Sequence, residues 1–257
     1  MDNLLSPSHD HRVRIALISD IHANLPALRA MLESFADLNV DRFICLGDTV
    51  GYGAEPNECC QLVRQTAWGT VLGNHDAAVA GRMDYSYYYD AAREVLDMHR
   101  GLLHPDHLAW LQGLPYVLQI PEVGATFCHG APVNLEDFEY VFHIEQARRL
   151  LPHFGELSPI TFIGHSHLTK CYEMTPEEAT EVDGSSLELR SDCKYIITAG
   201  SVGQPRDCDF RACGGLFDTE RRHFQYVRSD YGIETAASAI MSRAQSPTFA
   251  RRLFFGV

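Results

Sequence analysis

Five apolar runs of the same form occur along the chain, and each ends in Gly, Asp, Asn or His. The runs are short and rich in β-branched and aromatic residues, which is typical of strands that are buried on both faces of a sheet. In open α/β sheets, ligands bind at the carboxyl ends of such strands. We therefore expect the polar ends of these runs to share one cleft. The five stretches are 15–22, 43–48, 72–76, 125–130 and 160–167.

The first third of the chain alternates strand and helix patterns. Pro26 opens a helix whose apolar residues recur at i, i+3 and i+4, and a second helix begins near Pro56. This alternation predicts parallel strands joined by right-handed crossovers. The predicted strands are 13–19, 42–46 and 70–72, and the third places the 73–76 motif at the tip of a buried strand.

Residues 77–114 contain no strand pattern, and we interpret them as a helical insertion beside the cleft. Two helices are predicted there, over 90–100 and 105–111, behind a cluster of tyrosines at positions 85, 87, 88 and 89. Such a cluster either packs against the core or lines a substrate pocket.

From residue 117 onward, consecutive strands replace the alternation and favour an α+β fold with two sheets. The turn-like residues 121–124 between the apolar runs 117–120 and 125–129 predict an antiparallel hairpin. The acidic segment 175–192 is expected to be a surface hairpin or loop. The predicted elements are strands 117–120, 125–129, 160–163, 170–174, 195–199, 214–218 and 223–227, with helices 144–151 and 235–244.

No linker or repeat divides the chain, so we predict a flexible tail over 1–11 and one domain over 12–257. The last residues, 251–255, are too apolar for a free tail. They are expected either to dock on the chain's own core or to form a contact in a homo-oligomer.

Charge and cysteine content narrow the function classes. The 257 residues include 21 Lys and Arg against 34 Asp and Glu, a net charge of −13 that disfavours binding of long nucleic acids. Eight cysteines show no C-x-x-C spacing, which is typical of buried thiols in a reducing compartment. With no apolar run of about 18 residues and no apolar leader, a cytoplasmic protein without membrane contact is expected.

Eight side chains at the strand ends are candidate metal ligands. Mixed imidazole and carboxylate donors suit Mn, Fe, Zn, Co or Ni better than Ca or Mg. The set is too large for one four-coordinate ion, whereas two ions about 3.5–4 Å apart can share a carboxylate. The candidates are Asp20, His22, Asp48, Asn74, His75, His129, His165 and His167.

These motifs, in this order, resemble those of the calcineurin-like metallophosphoesterase superfamily. A glycine-rich segment at 200–207 and the Gly-Tyr-Gly at 51–53 are further similar to its small prokaryotic branch of YfcE-like and diadenosine-tetraphosphatase-like phosphodiesterases. The resemblance covers residues 15–218 and implies a four-layer α/β/β/α sandwich, with two mixed sheets facing one another. The matching motifs are Asp-x-His at 20–22, Gly-Asp at 47–48, Gly-Asn-His-Asp at 73–76, His129 and Gly-His-x-His at 164–167.

The resemblance also implies roles for the motif residues. One divalent transition-metal ion would be held by Asp20, His22 and His167, and a second by Asn74, His129 and His165. Asp48 would bridge the two ions. His75 would contact the substrate and protonate the leaving oxygen, while a hydroxide between the ions attacks phosphorus.

Four further residues are candidates beside the metals. Asp76 would either orient His75 or cap the following helix. Arg206 would either grip phosphate or form a surface salt bridge. Asn24 would either contact phosphate or cap the helix from Pro26. Tyr52, with Gly51, stands where related protein phosphatases carry an arginine and an aspartate, and it is a candidate substrate contact.

The predicted function is therefore a dinuclear metal-dependent phosphoesterase. Its substrate is a small phosphorylated molecule, either a phosphomonoester, a phosphodiester or a dinucleoside polyphosphate, and nucleotides are among the options. The alternatives are a catalytically silent protein-binding scaffold of the same fold and a Ser/Thr protein phosphatase. The missing Asp and Arg at 51–52 count against the phosphatase.

Overall fold

The computed structural model of the chain describes residues 13–243 and 245–257; the predicted tail and Ala244 lie outside them. The strands are β1 (Arg14–Ile18), β2 (Arg42–Cys45), β3 (Gly69–Thr70), β4 (Val117–Ile120), β5 (Ala125–Cys128), β6 (Ile160–Ile163), β7 (Cys171–Met174), β8 (Ala179–Glu181), β9 (Ser186–Glu188), β10 (Lys194–Thr198), β11 (Ala212–Asp218) and β12 (His223–Ser229). The helices are α1 (Leu25–Ala36), α2 (Pro56–Thr66), α3 (Asn74–Ala80), α4 (Asp90–Leu102), α5 (Pro105–Gly113), α6 (Ile144–Arg148), α7 (Ile233–Ser242) and α8 (Pro247–Phe255).

The strands form two six-stranded mixed sheets. The first has the order β3-β2-β1-β11-β12-β9 and the second the order β4-β5-β6-β10-β7-β8. The three strands β1, β2 and β3 run parallel, as do β5, β6 and β10. Each sheet therefore has several carboxyl strand ends on one edge, as the βαβ pattern predicts.

The alternation along β1 shows how the layers are built. Ile15 and Leu17 point into a core that they share with Phe127 and Phe162 of the second sheet. Their neighbours on β1 point the opposite way, toward helix α1. Because successive strand residues face opposite sides, one strand contributes to two cores.

Helices cover the outer face of both sheets. Helix α1 packs on the first sheet, and helix α6 packs on the second. Helices α3, α4 and α5 form a separate apolar cluster beside the first sheet. The arrangement is the expected four-layer α/β/β/α sandwich, and the fold prediction is confirmed.

The acidic segment 175–192 is more ordered than a surface loop. Its first strand, β8, pairs with β7 in the second sheet, and its second strand, β9, pairs with β12 in the first. The segment thus crosses from one sheet to the other. The polar composition of the segment gives no strand pattern, because each strand is only three residues long and lies at a sheet edge.

The opening of the central motif also differs from the prediction. Strand β3 is only Gly69–Thr70, and Asn74 is the first residue of helix α3 rather than the tip of a strand. The apolar residues Val71 and Leu72 are buried in the connection between strand and helix. Burial, rather than sheet pairing, explains why this stretch is apolar.

The chain ends in two helices where one was predicted. Helix α8 begins at Pro247, since proline at the first helical position loses no hydrogen bond. Its buried face, Phe249 and Leu253, joins a cluster that includes Tyr52. The expected docking on the chain's own core is therefore found, although Phe254 and Phe255 remain exposed.

A matched pair of substitutions on α8 measures this docking. Phe249 is 1% exposed and Phe255 is 67% exposed on the same helix. We expect Phe249→Ala to lower the free energy of unfolding by about 3–5 kcal/mol. Phe255→Ala should change it by less than about 0.5 kcal/mol. Urea denaturation of both variants checks this, and equal losses would contradict the docking.

No helix in the described residues is long and apolar enough to cross a membrane. The eight cysteines are unpaired, and all except Cys208 are buried, as the absence of C-x-x-C spacing led us to expect.

Candidate metal centre

The predicted strand-end residues meet at one edge of the sandwich. The residues that follow β1 and β2, and the first residue of α3, come from the first sheet side; those that follow β5 and β6 come from the second. All of these side chains are at least 94% buried: Asp20, His22, Asp48, Asn74, His75, His129, His165 and His167.

The backbone around the site is strained. Five candidate ligands have a left-handed backbone with φ between 49° and 66°: Asp20, His22, Asp48, His165 and His167. Such a conformation costs a non-glycine residue about 1–3 kcal/mol and persists only where the surrounding structure holds it. Five of the twelve described non-glycine residues with a positive φ are therefore candidate ligands.

Two glycines let the strand ends approach closely. A Cβ atom on Gly73 would lie 2.1 Å from the Asp48 carboxylate, and one on Gly164 would lie 2.0 Å from the Ser19 hydroxyl oxygen. Both distances are far below contact distance, so any side chain would push the loops apart. The Gly-Asn and Gly-His pairs of the motifs therefore reflect packing between loops.

The first group of ligands consists of Asp20, His22 and His167. The Nδ1 atoms of the two histidines lie 3.0 Å and 2.6 Å from the backbone carbonyls of Val50 and Gln204. Because a carbonyl only accepts, each Nδ1 carries the ring proton, and each Nε2 presents a lone pair. These Nε2 atoms are 3.1 Å apart, and that of His167 is 3.3 Å from an Asp20 oxygen.

The second group follows the same logic. The Nδ1 atom of His129 lies 2.7 Å from the Leu46 carbonyl, which leaves Nε2 free to ligate. That Nε2 is 3.0 Å from the Asn74 amide oxygen and 3.3 Å from a carboxylate oxygen of Asp48. His165 completes the group with Asp48 and His129.

These donor sets fit divalent cations. Buried imidazole nitrogens and carboxylate oxygens converge in both groups, joined in the second by the Asn74 amide oxygen, and divalent transition metals bind such donors. Asp48 belongs to the second group and lies 3.7 Å from the Nε2 atom of His22 in the first. Its position between the groups allows one carboxylate to serve two ions.

Burial dominates the electrostatics of the first group. It raises the pKa of Asp20 to about 7 and lowers the pKa of His22 and His167 well below the usual range. Burial also opposes protonation of His129, but the Asp48 carboxylate raises the pKa of that imidazole to about 9. A metal ion bound by His129 must therefore displace a proton.

His75 lies beside both groups and faces a cavity. Its backbone N–H donates to Asp48 over 2.8 Å, and its ring lies edge-on to the His22 ring at 4.8 Å. Its Nδ1 atom is buried without a hydrogen-bond partner among the described residues. Burial lowers the pKa of His75 to about 4. One of its ring nitrogens, a ring nitrogen of His22 and a carboxylate oxygen of Asp48 all lie within 4.8 Å of one another, so these three side chains could also hold one ion.

Asp76 caps helix α3 and makes no described hydrogen bond to His75. Its carboxylate accepts from the backbone N–H of Val50 over 3.1 Å and from that of Gly73 over 3.3 Å. Both oxygens are thus used in holding the loop and the helix start. These contacts support the capping alternative for Asp76, and the orienting role stays a prediction.

Asn24 likewise has a structural position. Its amide oxygen accepts from the Ala27 N–H over 3.2 Å at the start of α1, and its amide nitrogen donates to the Gly203 carbonyl over 2.8 Å. Both polar ends are occupied, which supports the helix-capping alternative for Asn24, and the phosphate contact stays a prediction.

Arg206 points toward the site rather than into a salt bridge. No carboxylate of the described residues pairs with it, its Nε is buried without a partner, and its guanidinium lies 5.8 Å from the Tyr52 ring centroid. After burial, the positive charge of Arg206 is the main factor that lowers the pKa of His167. Tyr52 packs at 4.5 Å from both His22 and His75.

Three residues of the site are not among the sequence-based ligand and substrate candidates, although Tyr88 belongs to the tyrosine cluster for which packing and a pocket were both considered. The Tyr88 hydroxyl accepts a hydrogen bond of 2.6 Å from the Asn74 amide nitrogen, and the Tyr140 ring stacks on His165 at 3.7 Å. His99 accepts from the Gly51 N–H and holds the Gly53 carbonyl, both at 3.0 Å. The helical spacing of His99 with the buried Leu96 and Val95 could have revealed its burial; no signal marked Tyr140.

The contact from Asn74 to Tyr88 predicts a measurable effect on metal binding. It holds the amide nitrogen away from the site and so turns the oxygen toward His129. We expect Tyr88→Phe to weaken binding of one of two ions by about 10–100-fold. Calorimetric metal titration checks this, with Tyr85→Phe, whose hydroxyl donates to Asp97, as the control. Unchanged affinity in Tyr88→Phe would contradict the orienting role.

Two facing mixed sheets with helices outside, and buried His, Asp and Asn side chains at the strand ends, define an α/β sandwich with a candidate metal centre. The Calcineurin-like phosphoesterase family matches residues 13–203. The chain therefore belongs to the calcineurin-like phosphoesterase family, as its motifs predicted.

Relatives extend the match over nearly the whole chain. An uncharacterized protein of Methanocaldococcus jannaschii is 33% identical over 246 residues, covering 94% of this chain and 98% of that protein. The crystal structure of a metallophosphoesterase from Sphaerobacter thermophilus is 33% identical with a TM-score of 0.81, covering 95% and 99%. A hypothetical protein from Pyrococcus horikoshii shares the fold at 18% identity and a TM-score of 0.76, with the same coverage.

Proposed function

We propose that the protein is a dinuclear metal-dependent phosphoesterase acting on a small phosphorylated substrate. The observation that carries the proposal is the pair of buried donor groups with Asp48 between them. The similarity to a metallophosphoesterase over nearly the whole chain supports the same class.

The ligand roles follow the two groups. Asp20, His22 and His167 would hold one divalent ion, and His129, His165 and Asn74 the other, with Asp48 shared. Mn, Fe, Zn, Co and Ni all suit these donors. When bound, such ions supply Lewis acidity toward phosphoryl oxygens and lower the pKa of water.

His75 is the proposed general acid. A phosphoryl group beside it brings negative charge, which favours the imidazolium and opposes the effect of burial on its pKa. The protonated ring can then give its proton to the leaving oxygen as the P–O bond breaks. Tyr52, packed against the ring, fixes its orientation.

Arg206 is the proposed phosphate contact. Its guanidinium has no described carboxylate partner and lies on the Tyr52 side of the cluster. One terminal nitrogen donates to the Gln204 amide oxygen over 3.2 Å, and Nε is buried without a partner, so donors remain for a phosphoryl oxygen. It would bind phosphate in place of the arginine that related protein phosphatases carry at position 52, where this chain has tyrosine.

A substrate panel tests the proposal. The chain is stripped with a chelator, reloaded with Mn²⁺ or Zn²⁺, and assayed against an aryl phosphomonoester, an aryl phosphodiester and diadenosine tetraphosphate. We expect about two ions per chain and turnover of at least one substrate that disappears on stripping. Stoichiometric metal without turnover of any of them would overturn the enzyme proposal and favour a protein-binding scaffold.

A further inference from the structure

A large cavity opens directly beside the candidate metal centre. Its volume is about 590 Å³, and Asn74, His75 and His165 form the part of its wall nearest the metal ligands. Pockets that bind small organic ligands usually measure about 300–1,000 Å³. The cavity is therefore large enough for a substantial part of a substrate that extends beyond its phosphoryl group.

Tyrosines from two separate segments line this cavity. Tyr87, Tyr88 and Tyr89 come from the segment that leads into α4, and Tyr140 comes from the loop that leads into α6. Tyr140 lies against the His165 ring, so its aromatic surface adjoins a candidate metal ligand. The cavity thus offers aromatic faces from the metal centre outward.

The exposure of these rings argues against simple packing. Tyr87 is 70% exposed, Tyr89 is 53% exposed and Tyr140 is 43% exposed. A ring that served only the core would be covered by it, whereas these rings keep much of their surface open in a concave site. Exposed aromatic surface of this kind marks a binding surface.

The charges around the cavity favour a neutral group over a phosphate chain. Among the described residues, its lining carries two acidic side chains, Asp137 and Glu139, and beyond the histidines one cation, Arg149. A chain of additional phosphates would need clustered cations along its path. The single cation and the net negative lining disfavour such a chain away from the metals.

We infer that this cavity binds the neutral aromatic arm, of nucleobase size, of a phosphorylated substrate whose phosphoryl group lies at the metal centre. The inference rests on the proposed function only for the position of the phosphoryl group. It selects a nucleoside phosphate or nucleoside phosphodiester from the open substrate classes and disfavours polyphosphate-linked substrates.

Two probes that differ only by a base test the inference. AMP and ribose 5-phosphate share the phosphate and the sugar, so their difference in affinity reports the base alone. Stacking on aromatic side chains should make AMP bind roughly 5- to 100-fold more tightly. The measurement is calorimetric titration of the Mn²⁺-loaded chain at low temperature, with phosphate release followed in parallel.

Variants locate the effect. Tyr87→Leu and Tyr89→Leu should each reduce the preference for AMP several-fold while leaving ribose 5-phosphate binding and metal content unchanged. Tyr87→Phe should keep the preference, because the ring face and not the hydroxyl is used. Trp68→Leu, which removes an aromatic residue that is 57% exposed and outside the cavity lining, is the matched control.

The outcomes separate this inference from the proposed function. Equal affinity for AMP and ribose 5-phosphate overturns the inference even if phosphoesters are hydrolysed. Tighter binding of ADP than of AMP by tenfold or more also overturns it, since the cavity would then accept further phosphate. Base-dependent binding that the tyrosine variants weaken supports it, even if no ester is turned over.

Discussion

Replacement of Asp48 by asparagine is expected to lower turnover by about a thousandfold and to reduce the metal content below two ions per chain. The carboxylate lies 3.3 Å from the His129 Nε2 and 3.7 Å from the His22 Nε2, so it lies between both donor sets. Asparagine keeps its size but removes the charge that two cations would share. A thousandfold lower turnover corresponds to a loss of several kcal/mol of transition-state stabilisation.

Asp76→Asn is the matched control for this substitution. Asp76 is also a fully buried carboxylate close to the site, but its described hydrogen bonds go to backbone N–H groups. Asparagine can still accept one of them, so we expect a loss of stability of about 1–3 kcal/mol with two ions retained. Steady-state kinetics and metal analysis of both variants decide the matter. Two ions and near-normal turnover in Asp48→Asn would exclude a bridging role.

The strand-end rule located the candidate ligands because it depends on a simple physical constraint. A strand buried on both faces is apolar, and parallel strands end together at one edge, so polar residues just after such runs must meet. Asp20, Asp48 and His129 were all found in this way. Pairing across the two sheets could not be derived from the pattern alone, and it entered through the resemblance to a known family.

The incorrect predictions concern helices and strands whose first and last residues are ambiguous in the sequence. The sequence predicts one closing helix over 235–244, and a second helix that starts at Pro247 was missed, because proline suits both the end and the start of a helix. Asn74 opens a helix instead of ending a strand, since Asp76 caps the turn three residues after Gly73. Tyr140 reaches His165 from a loop remote in sequence, and such a contact leaves no periodic pattern.

His75 can be distinguished as an acid or a ligand by the leaving group of the substrate. Its ring lies close enough to His22 and Asp48 to share a metal ion with them, and it also lines the cavity. The geometry therefore permits both roles. A general acid matters only when the departing oxygen needs a proton. An alkyl leaving group needs one, whereas p-nitrophenolate departs without help.

We therefore expect His75→Asn to slow hydrolysis of an alkyl phosphoester by about 10²–10⁴-fold while slowing hydrolysis of a p-nitrophenyl ester far less. Metal content should stay at the wild-type value, because the other seven candidate ligands remain. Turnover of both esters and metal analysis of the same preparation provide the measurement. Loss of one ion, with both esters slowed equally, would instead make His75 a metal ligand and leave the proton donor to be sought among the other residues that line the cavity.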